Sequence, residues 1–549
     1  MRLSVYTSCA LNYLPKARAL AKSLRYHHSD ATLTLCLNDN SPTWLDLSAE
    51  PFDRIWHPSD LGYDPGWIFQ HNVMELSTAV KGRALCRLIE EDDADLIVYL
   101  DPDVYVFAAL DDVLPAMADA SIGLVPHILE PEANDAGIEA IEMSAASHGA
   151  YNLGHLFVRP DYIGSSFAEW WAKRLDQFCF DDKARGLFTD QRWIDLVPSI
   201  FPGVRILKDP GLDVACWNIS SRSVRRTGQG SRYTANETLL KTYHYSGTGP
   251  NGTHRRVREQ FDAGNPASAE IERFYEEEIS KLGQAEFSNL LCAFDFFDDG
   301  TSITARARRM YRDHPDLRHA FPQPFSCGEN GGYSGWLRAN RPGFIDGISL
   351  SQVQVRTAFD ELFDGEWYTR KYPEVAHAIS SGNVKSALDH YCKVGSQIML
   401  DPNRYFVTAH YVERAGDYDT QQIKIHAGSR EGTWLWHYLS VGLRNACEPI
   451  EFFDSPWYIA ANPDVAAAMR TGSVSAPLAH FVKHGSGEGR DPGPGFRSAR
   501  YLEISPIARS KVSEGNAESA FHAFVDMGGV AGRVCVEEGS ATDFSMVTS

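Results

Sequence analysis

The sequence predicts an α/β domain with a layered, mostly parallel sheet, followed by a mainly α-helical repeat domain. Three observations predict it. Apolar runs of strand length alternate with segments of helical period through residue 107. A stretch rich in Pro and Gly, "FPQPFSCGENGGYSG" at residues 321–335, then interrupts the chain. Beyond it, a pattern of Trp, Pro, Gly and His recurs at fixed spacing. At 549 residues the chain is also too long for one hydrophobic core.

The elements follow in order. "LSVYT" (residues 3–7) reads as a short buried strand. "YLPKARALAKSLRYH" sets Leu14, Ala17, Leu20 and Leu24 near a helical period, with Pro15 in the first turn. "TLTLCL" (residues 32–37) is the next strand, and residues 74–89 form a helix carrying Leu76, Val80, Leu85 and Leu88. "DLIVYLDPDVYVF" (residues 95–107) is a buried strand that runs into Asp101 and Asp103. Strand–helix–strand alternation of this kind builds parallel sheets. Neither GxGxxG nor GxxxxGK[ST] occurs, so a bound nucleotide must have its phosphates held another way.

Residues 271–311 read as helical. In the repeat, Trp367/Trp457, Pro373/Pro463, Gly382/Gly472, His390/His480 and Gly395/Gly485 are each ninety residues apart. A degenerate unit, "WHYLSVG" (residues 436–442), lies between them, and a fourth ends in "AFHAFVDMGG". The period is about 45 residues, typical of helical units that bury their faces on neighbours. The histidines come one per unit beside aromatics, which points to packing rather than metal binding. Three segments are expected: 1–265, the α/β domain; 266–345, a helical extension and linker; and 346–549, about four helical units.

Composition is globular, 43% hydrophobic, 11% aromatic and 23% charged. A formal net charge of −20 argues against nucleic acid as the main partner, although "RSVRR" at residues 222–226 is locally basic. Ten cysteines without a CxxC pair read as reduced thiols. "MRLSVYTSC" is too short and polar for a signal peptide, and no apolar run has transmembrane length. The expected location is the cytoplasm, including the inner face of the membrane as a peripheral site.

Asp101 and Asp103 close a buried strand, and ligands of open α/β sheets sit beyond such carboxyl ends. Two neighbouring carboxylates repel unless a cation or a shared proton lies between them. Mg²⁺ and Mn²⁺ accept carboxylate, water and phosphate oxygens together, so an ion there could also carry a nucleotide diphosphate. The competing reading is an Asp-rich turn after a strand.

"VYLDPDVYVF" resembles the metal-binding Asp-x-Asp strand of GT-A glycosyltransferases. Further stretches resemble the retaining glycogenin and lipopolysaccharide-galactosyltransferase group of that superfamily. "ELSTAVKGRALCRLI" resembles the helix before the metal motif, with Lys81 or Arg83 as its donor-facing basic residue. "YNLGHLFVRP" resembles the strand whose Asn and Gly, here Asn152 and Gly154, lie by the donor sugar. "FTDQRWIDLV" resembles the Asp-Gln motif, giving Asp190 and Gln191 as catalytic candidates. "YHYSG" resembles the late motif whose His, here His244, completes the metal site with Asp101 and Asp103. "DPGLDVACWNIS" resembles the segment after the Asp-Gln helix, which offers Asp213, Trp217 and Asn218 for sugar or acceptor contacts. The loop after the first strand, with Thr7, Asn12 and Tyr13, matches the grip on nucleobase and ribose.

The likeness covers about residues 1–255. In one departure, the group's lysine after the late His is missing from "SGTGPNGTHRR". Diphosphate binding would then lean on Lys81, Arg83, Arg255 or Arg256. His244 and Trp217 also suit an aromatic core, and Asp190 suits a helix cap.

The resemblance implies transfer of a sugar from a nucleoside-diphosphate sugar, with a UDP-sugar favoured, to a glycan or lipid-linked glycan. It also implies Mn²⁺ or Mg²⁺ and retention of configuration. The repeats resemble modules appended to bacterial surface-polysaccharide glycosyltransferases; an acceptor glycan, a partner enzyme or another copy of the chain are the roles open to them. The rival readings are a nucleotidyltransferase, for which "YTSCALNYLP" lacks a basic phosphate loop, and a non-catalytic scaffold built on the repeats.

Overall fold

The computed structural model describes residues 2–529 except 228–231, 249–252, 263, 289, 329–330, 342–343, 345–347, 349, 416–427 and 445–446. The chain forms two compact units, one of residues 1–297 and 318–325, the other of residues 298–317 and 326 onward. The first is mixed α/β and the second is mostly α-helical.

In chain order the strands are β1 (Leu3–Cys9), β2 (Thr32–Leu37), β3 (Arg54–Trp56), β4 (Leu96–Leu100), β5 (Val104–Val106), β6 (Ile122–Pro126) and β7 (Tyr151–Val158). There follow β8 (Asp181–Asp182), β9 (Leu187–Phe188), β10 (Val204–Ile206), β11 (Val214–Ala215), β12 (Val224–Arg226), β13 (Tyr233–Ala235), β14 (Thr238–Leu239) and β15 (Thr242–His244). Seven of them form the main sheet, in the order β10-β6-β7-β4-β1-β2-β3. Every residue of β1 and β4 is buried, as in sheets covered on both faces. β1 runs parallel to β2 and β4, whereas β7 enters between β4 and β6 running the other way.

Helices cover the sheet. In Leu14–His27 the predicted stripe of Leu14, Ala17, Leu20 and Leu24 is buried. Lys81–Glu91 crosses Tyr162–Phe178 so closely that a Cβ on Gly82 would lie 2.6 Å from the Ala172 Cα. The helix Pro266–Lys281 belongs to this unit. Its Ile271, Tyr275 and Ile279 share a core with Ala19, and Lys22 reaches Glu278 at 2.6 Å.

A second, three-stranded sheet positions the site. After β4 the chain turns through Asp101, Pro102 and Asp103, and β5 leaves the main sheet. β5 pairs antiparallel with β15, setting Val104 opposite His244. β11 pairs parallel with β15, setting Ala215 beside His244 and Asp213 beside Thr242.

In the second unit the recurring residues act as punctuation. Asp364 and Asp454 cap helices by accepting from the amides of Trp367 and Trp457, at 2.8 and 2.9 Å. Pro373 and Pro463 open the next helices, and Gly382 and Gly472 follow them at φ of 76° and 78°. The histidines are hydrogen-bonded to tyrosine hydroxyls: His390 to Tyr368 (3.0 Å), His437 to Tyr411 (2.6 Å) and His480 to Tyr458 (2.9 Å). A Cβ on Gly395, Gly442 or Gly485 would overlap the same three hydroxyls. In the fourth segment His522 instead accepts from the Glu518 amide at 3.0 Å and meets Asp526 at 3.1 Å.

None of the nine cysteines among the described residues is in a disulfide, and Cys535 lies outside them. No helix of the described residues is long and apolar enough to cross a membrane.

Candidate active site

Four carboxylates and two lysines gather beyond the carboxyl end of β4. Asp101 accepts from the Tyr99 hydroxyl at 2.6 Å and meets the Lys81 ammonium at 3.4 Å. Asp103 Oδ1 lies 3.1 Å from His244 Nε2, and Asp101 Oδ2 lies 3.7 Å from the same nitrogen. Asp101, Asp103 and His244 each offer a ligand atom, all within 4.8 Å of one another.

Behind His244, its Nδ1 lies 3.3 Å from Asp213 Oδ1, which is also 3.3 Å from His155 Nδ1. This carboxylate–imidazole arrangement fixes the ring and leaves Nε2 facing the other two acids. Asp213 is wholly buried at φ 53°, tied by its amide to the Thr242 hydroxyl at 2.8 Å. Gly154 gives His244 its room, since a Cβ there would overlap the imidazole ring.

Burial disfavours every charge here, yet at His244, Asp103 and Asp213 the pairing outweighs it. Burial works against a charged His244, but Asp103 and Asp213 push its pKa up to about 10. Burial raises Asp103 and His244 overcomes this, leaving it at about 2; His155 and His244 likewise hold Asp213 well below the carboxylate range. Asp190 stays raised by burial, with Lys81 pulling the other way. Asp101, Asp103, Asp190 and Asp213 against Lys16, Lys81 and a protonated His244 leave one negative charge, and two once the His244 proton has left. A divalent cation would balance that surplus, and the oxygen–oxygen–nitrogen donor set could hold one.

Asp190 pairs through Oδ2 with Lys81 at 2.9 Å and accepts from the Thr189 hydroxyl at 3.1 Å. It precedes the short helix Gln191–Ile194, but its side chain makes no capping bond. Thr189 before it is held at φ 44°, a strained conformation for a β-branched residue. Gln191 is spent on backbone: it accepts from the Leu153 amide at 3.0 Å and donates to the His148 carbonyl at 3.1 Å. Asn152 accepts from the Gly154 amide at 2.7 Å and lies 3.2 Å from His127 Nε2. Asn218 donates to the carbonyls of Asp213 and His127, bracing that loop.

Trp217 sets its ring edge-on to His244, centroids 4.9 Å apart, and its indole nitrogen is buried without a partner. Thr7 Oγ1, within β1, is likewise buried and unpartnered. Asn12 is half-buried, and Tyr13 is exposed.

Of the two basic candidates on their helix, only Lys81 reaches the carboxylates. Arg83 forks onto Asp176 and bonds the Leu61 and Gly62 carbonyls. Arg255 is held by Glu272 and Glu276, both at 2.8 Å. Residues 249–252 of the segment after His244, and the Arg256 side chain, lie outside the described residues.

Sequence reasoning missed Lys16, His127 and His155. Lys16 lies 3.8 Å from Asp103 and is buried. His127 is kept neutral by burial, which lowers its pKa to about 4. His155 sits next to Gly154, and strand alternation could have paired its face with Leu153 and Phe157 but not with Asp213.

No family model matches the chain. Two curated proteins of Bacillus subtilis (strain 168) are similar to part of it. The uncharacterized protein YfnF is 26% identical over 156 residues, covering 28% of this chain and 50% of that one. The uncharacterized protein YfnD is 29% identical over 161 residues, covering 28% and 48%. The chain thus spans about half the length of these curated relatives. Among solved structures, the galactosyltransferase LgtC with donor and acceptor sugar analogs is 17% identical, covers 51% of this chain and 95% of its own, and has a TM-score of 0.31. The glycosyltransferase GlyE of Streptococcus pneumoniae TIGR4 is 14% identical, covers 51% and 64%, and has a TM-score of 0.29.

Proposed function

We propose that the first unit is a GT-A-type glycosyltransferase that moves a sugar from a nucleoside-diphosphate sugar, favouring UDP, to a glycan or lipid-linked glycan. The observation that carries this reading is the acid–acid–imidazole set of Asp101, Asp103 and His244 beyond the end of β4, with its surplus of negative charge. These three residues would hold Mn²⁺ or Mg²⁺. When bound, the ion neutralises the charge that develops on a departing nucleoside diphosphate.

The chain's own residues do the rest. Asp213 and the edge-on Trp217 hold the His244 ring in place. Lys81 ties Asp101 to Asp190, so the metal-binding strand end and the Asp-Gln segment keep one spacing. Asp190, with Lys81 as counter-ion, faces the donor sugar, where its charge favours an oxocarbenium-like state. Gln191 braces the wall by fixing the Leu153 and His148 backbone. Asn152 and Gly154 border the sugar, and Thr7, Asn12 and Tyr13 border the nucleoside. Asp103 draws a proton to His244 Nε2 and Asp213 faces Nδ1, so the Nε2 proton would have to leave before that nitrogen could serve as a ligand.

Nucleotide-sugar hydrolysis with and without Mn²⁺, across UDP-, GDP-, ADP-, CDP- and dTDP-sugars, tests the reading. Metal-dependent release of one nucleoside diphosphate is the expected result. Release that chelation leaves unchanged would remove the metal from the proposal.

A further inference from the structure

The basic groups around the carboxylates differ in how far they are committed. Lys81 is fully engaged: Asp190 at 2.9 Å, Asp101 at 3.4 Å, the Leu153 carbonyl at 3.3 Å and the Tyr99 ring at 4.0 Å surround its ammonium. Arg83 serves Asp176, and Arg255 and Arg258 serve Glu272.

Lys16 is placed differently. It sits in the first turn of Leu14–His27 and is only 6% exposed. Its ammonium is 3.8 Å from Asp103 Oδ2, longer than a hydrogen bond, and 3.8 Å from the centroid of the Tyr13 ring. An ammonium carries three donors, and burying it is costly unless strong acceptors meet them. One long contact to a carboxylate, one aromatic face and a hydrogen bond to the Tyr13 hydroxyl leave part of that capacity unused.

Resting on the nucleotide-sugar reading, we infer that Lys16 binds the diphosphate of the donor. An anion drawn to Asp103 through a shared cation arrives beside this ammonium. The same ammonium touches the ring of Tyr13, a residue 37% exposed that forms the adjoining wall for the nucleoside. Lys16 thereby gives the site a phosphate-gripping cation without a glycine-rich loop.

The full-length chain is titrated by calorimetry with UDP, GDP, ADP, CDP and dTDP in the presence of Mn²⁺. The tightest binder and its nucleoside are then titrated into K16M, which keeps the apolar stem, and K16Q, which keeps a polar head. Thermal melts identify the folded variants, and K16Q carries the test if K16M does not fold. The expected result is a loss of about tenfold or more in diphosphate affinity, the size of a lost charge-assisted bond. Nucleoside affinity and Mn²⁺ affinity measured without nucleotide should not fall. Undiminished diphosphate affinity in the folded variants overturns the inference, leaving Lys16 as the counter-ion of Asp103 and the nucleotide reading intact. A wild-type chain that binds none of the five diphosphates overturns that reading, and the inference with it.

Discussion

His244 stands between two carboxylates, Asp103 at 3.1 Å and Asp213 at 3.3 Å, and they lift its pKa to about 10 against burial. In the second unit His480 meets the neutral Tyr458 hydroxyl at 2.9 Å, and burial lowers its pKa. Their acids divide the same way. Asp213 lies among imidazoles and is held low. Glu448 accepts only from neutral donors, the Ser455 amide and hydroxyl and the Tyr438 hydroxyl, and burial lifts it to about 7 against the pull of the more distant Arg306. Burial alone therefore does not decide a group's task. Charged partners make a place that can exchange a proton for a metal, whereas neutral partners make a packed joint.

The largest expected effect comes from removing the charge of the first kind. D103A should lower metal-dependent donor turnover by about 10²–10³-fold, the range for losing one preorganised charge contact. Calorimetric Mn²⁺ titration with nucleoside diphosphate present checks it, and unchanged metal affinity would sink the proposed ligand set.

Next comes the buried acid of the second unit. Native Glu448 ionises near 7, well above its ordinary value of 4.5. Below pH 4.5 both the folded and unfolded forms are protonated, and the stability is fully present. As pH rises toward 7 the unfolded form ionises first, and stability falls by about 3 kcal/mol before levelling off. Denaturant unfolding of E448Q should lack this slope. A variant that keeps the wild-type slope would show that Glu448 is ionised in the folded chain across that range.

A smaller loss is expected for D213N, which keeps shape behind His244 but removes charge. Mn²⁺ affinity should fall about 10–100-fold, as for other partners that orient a metal-binding imidazole. An unaltered affinity would separate Asp213 from the ligand set.

Y458F should have the smallest effect. Losing one hydrogen bond to His480 should cost about 1 kcal/mol in thermal or denaturant stability and leave Mn²⁺ binding untouched. A change in metal affinity would erase the contrast between the two kinds of histidine.

The parts of this contrast that lay close together in sequence were legible. Apolar runs marked β1, β2 and β4, and Asp101 and Asp103 stood out because two acids follow a buried strand. The helical stripe of Leu14–His27 was also plain, but it hid Lys16. A lysine next to that stripe looks solvated, and only the fold shows it turned toward Asp103. The short sheet was illegible for another reason. β11 and β15 have two and three residues, too few for a period, and their pairing depends on contacts across distant sequence. The antiparallel entry of β7 was invisible as well, since a buried strand reads alike in both directions.

The pairing of β5 with β15 also sets a timetable. Asp103 and His244 are 141 residues apart, so synthesis reaches the second long after the first. At roughly 5–20 residues per second, the interval is on the order of ten seconds. Through that interval the emerging chain holds two carboxylates and no His244 imidazole, and β5 still lacks β15. An ion met during translation would find two of the three proposed ligands, so the choice of metal would fall to the finished domain.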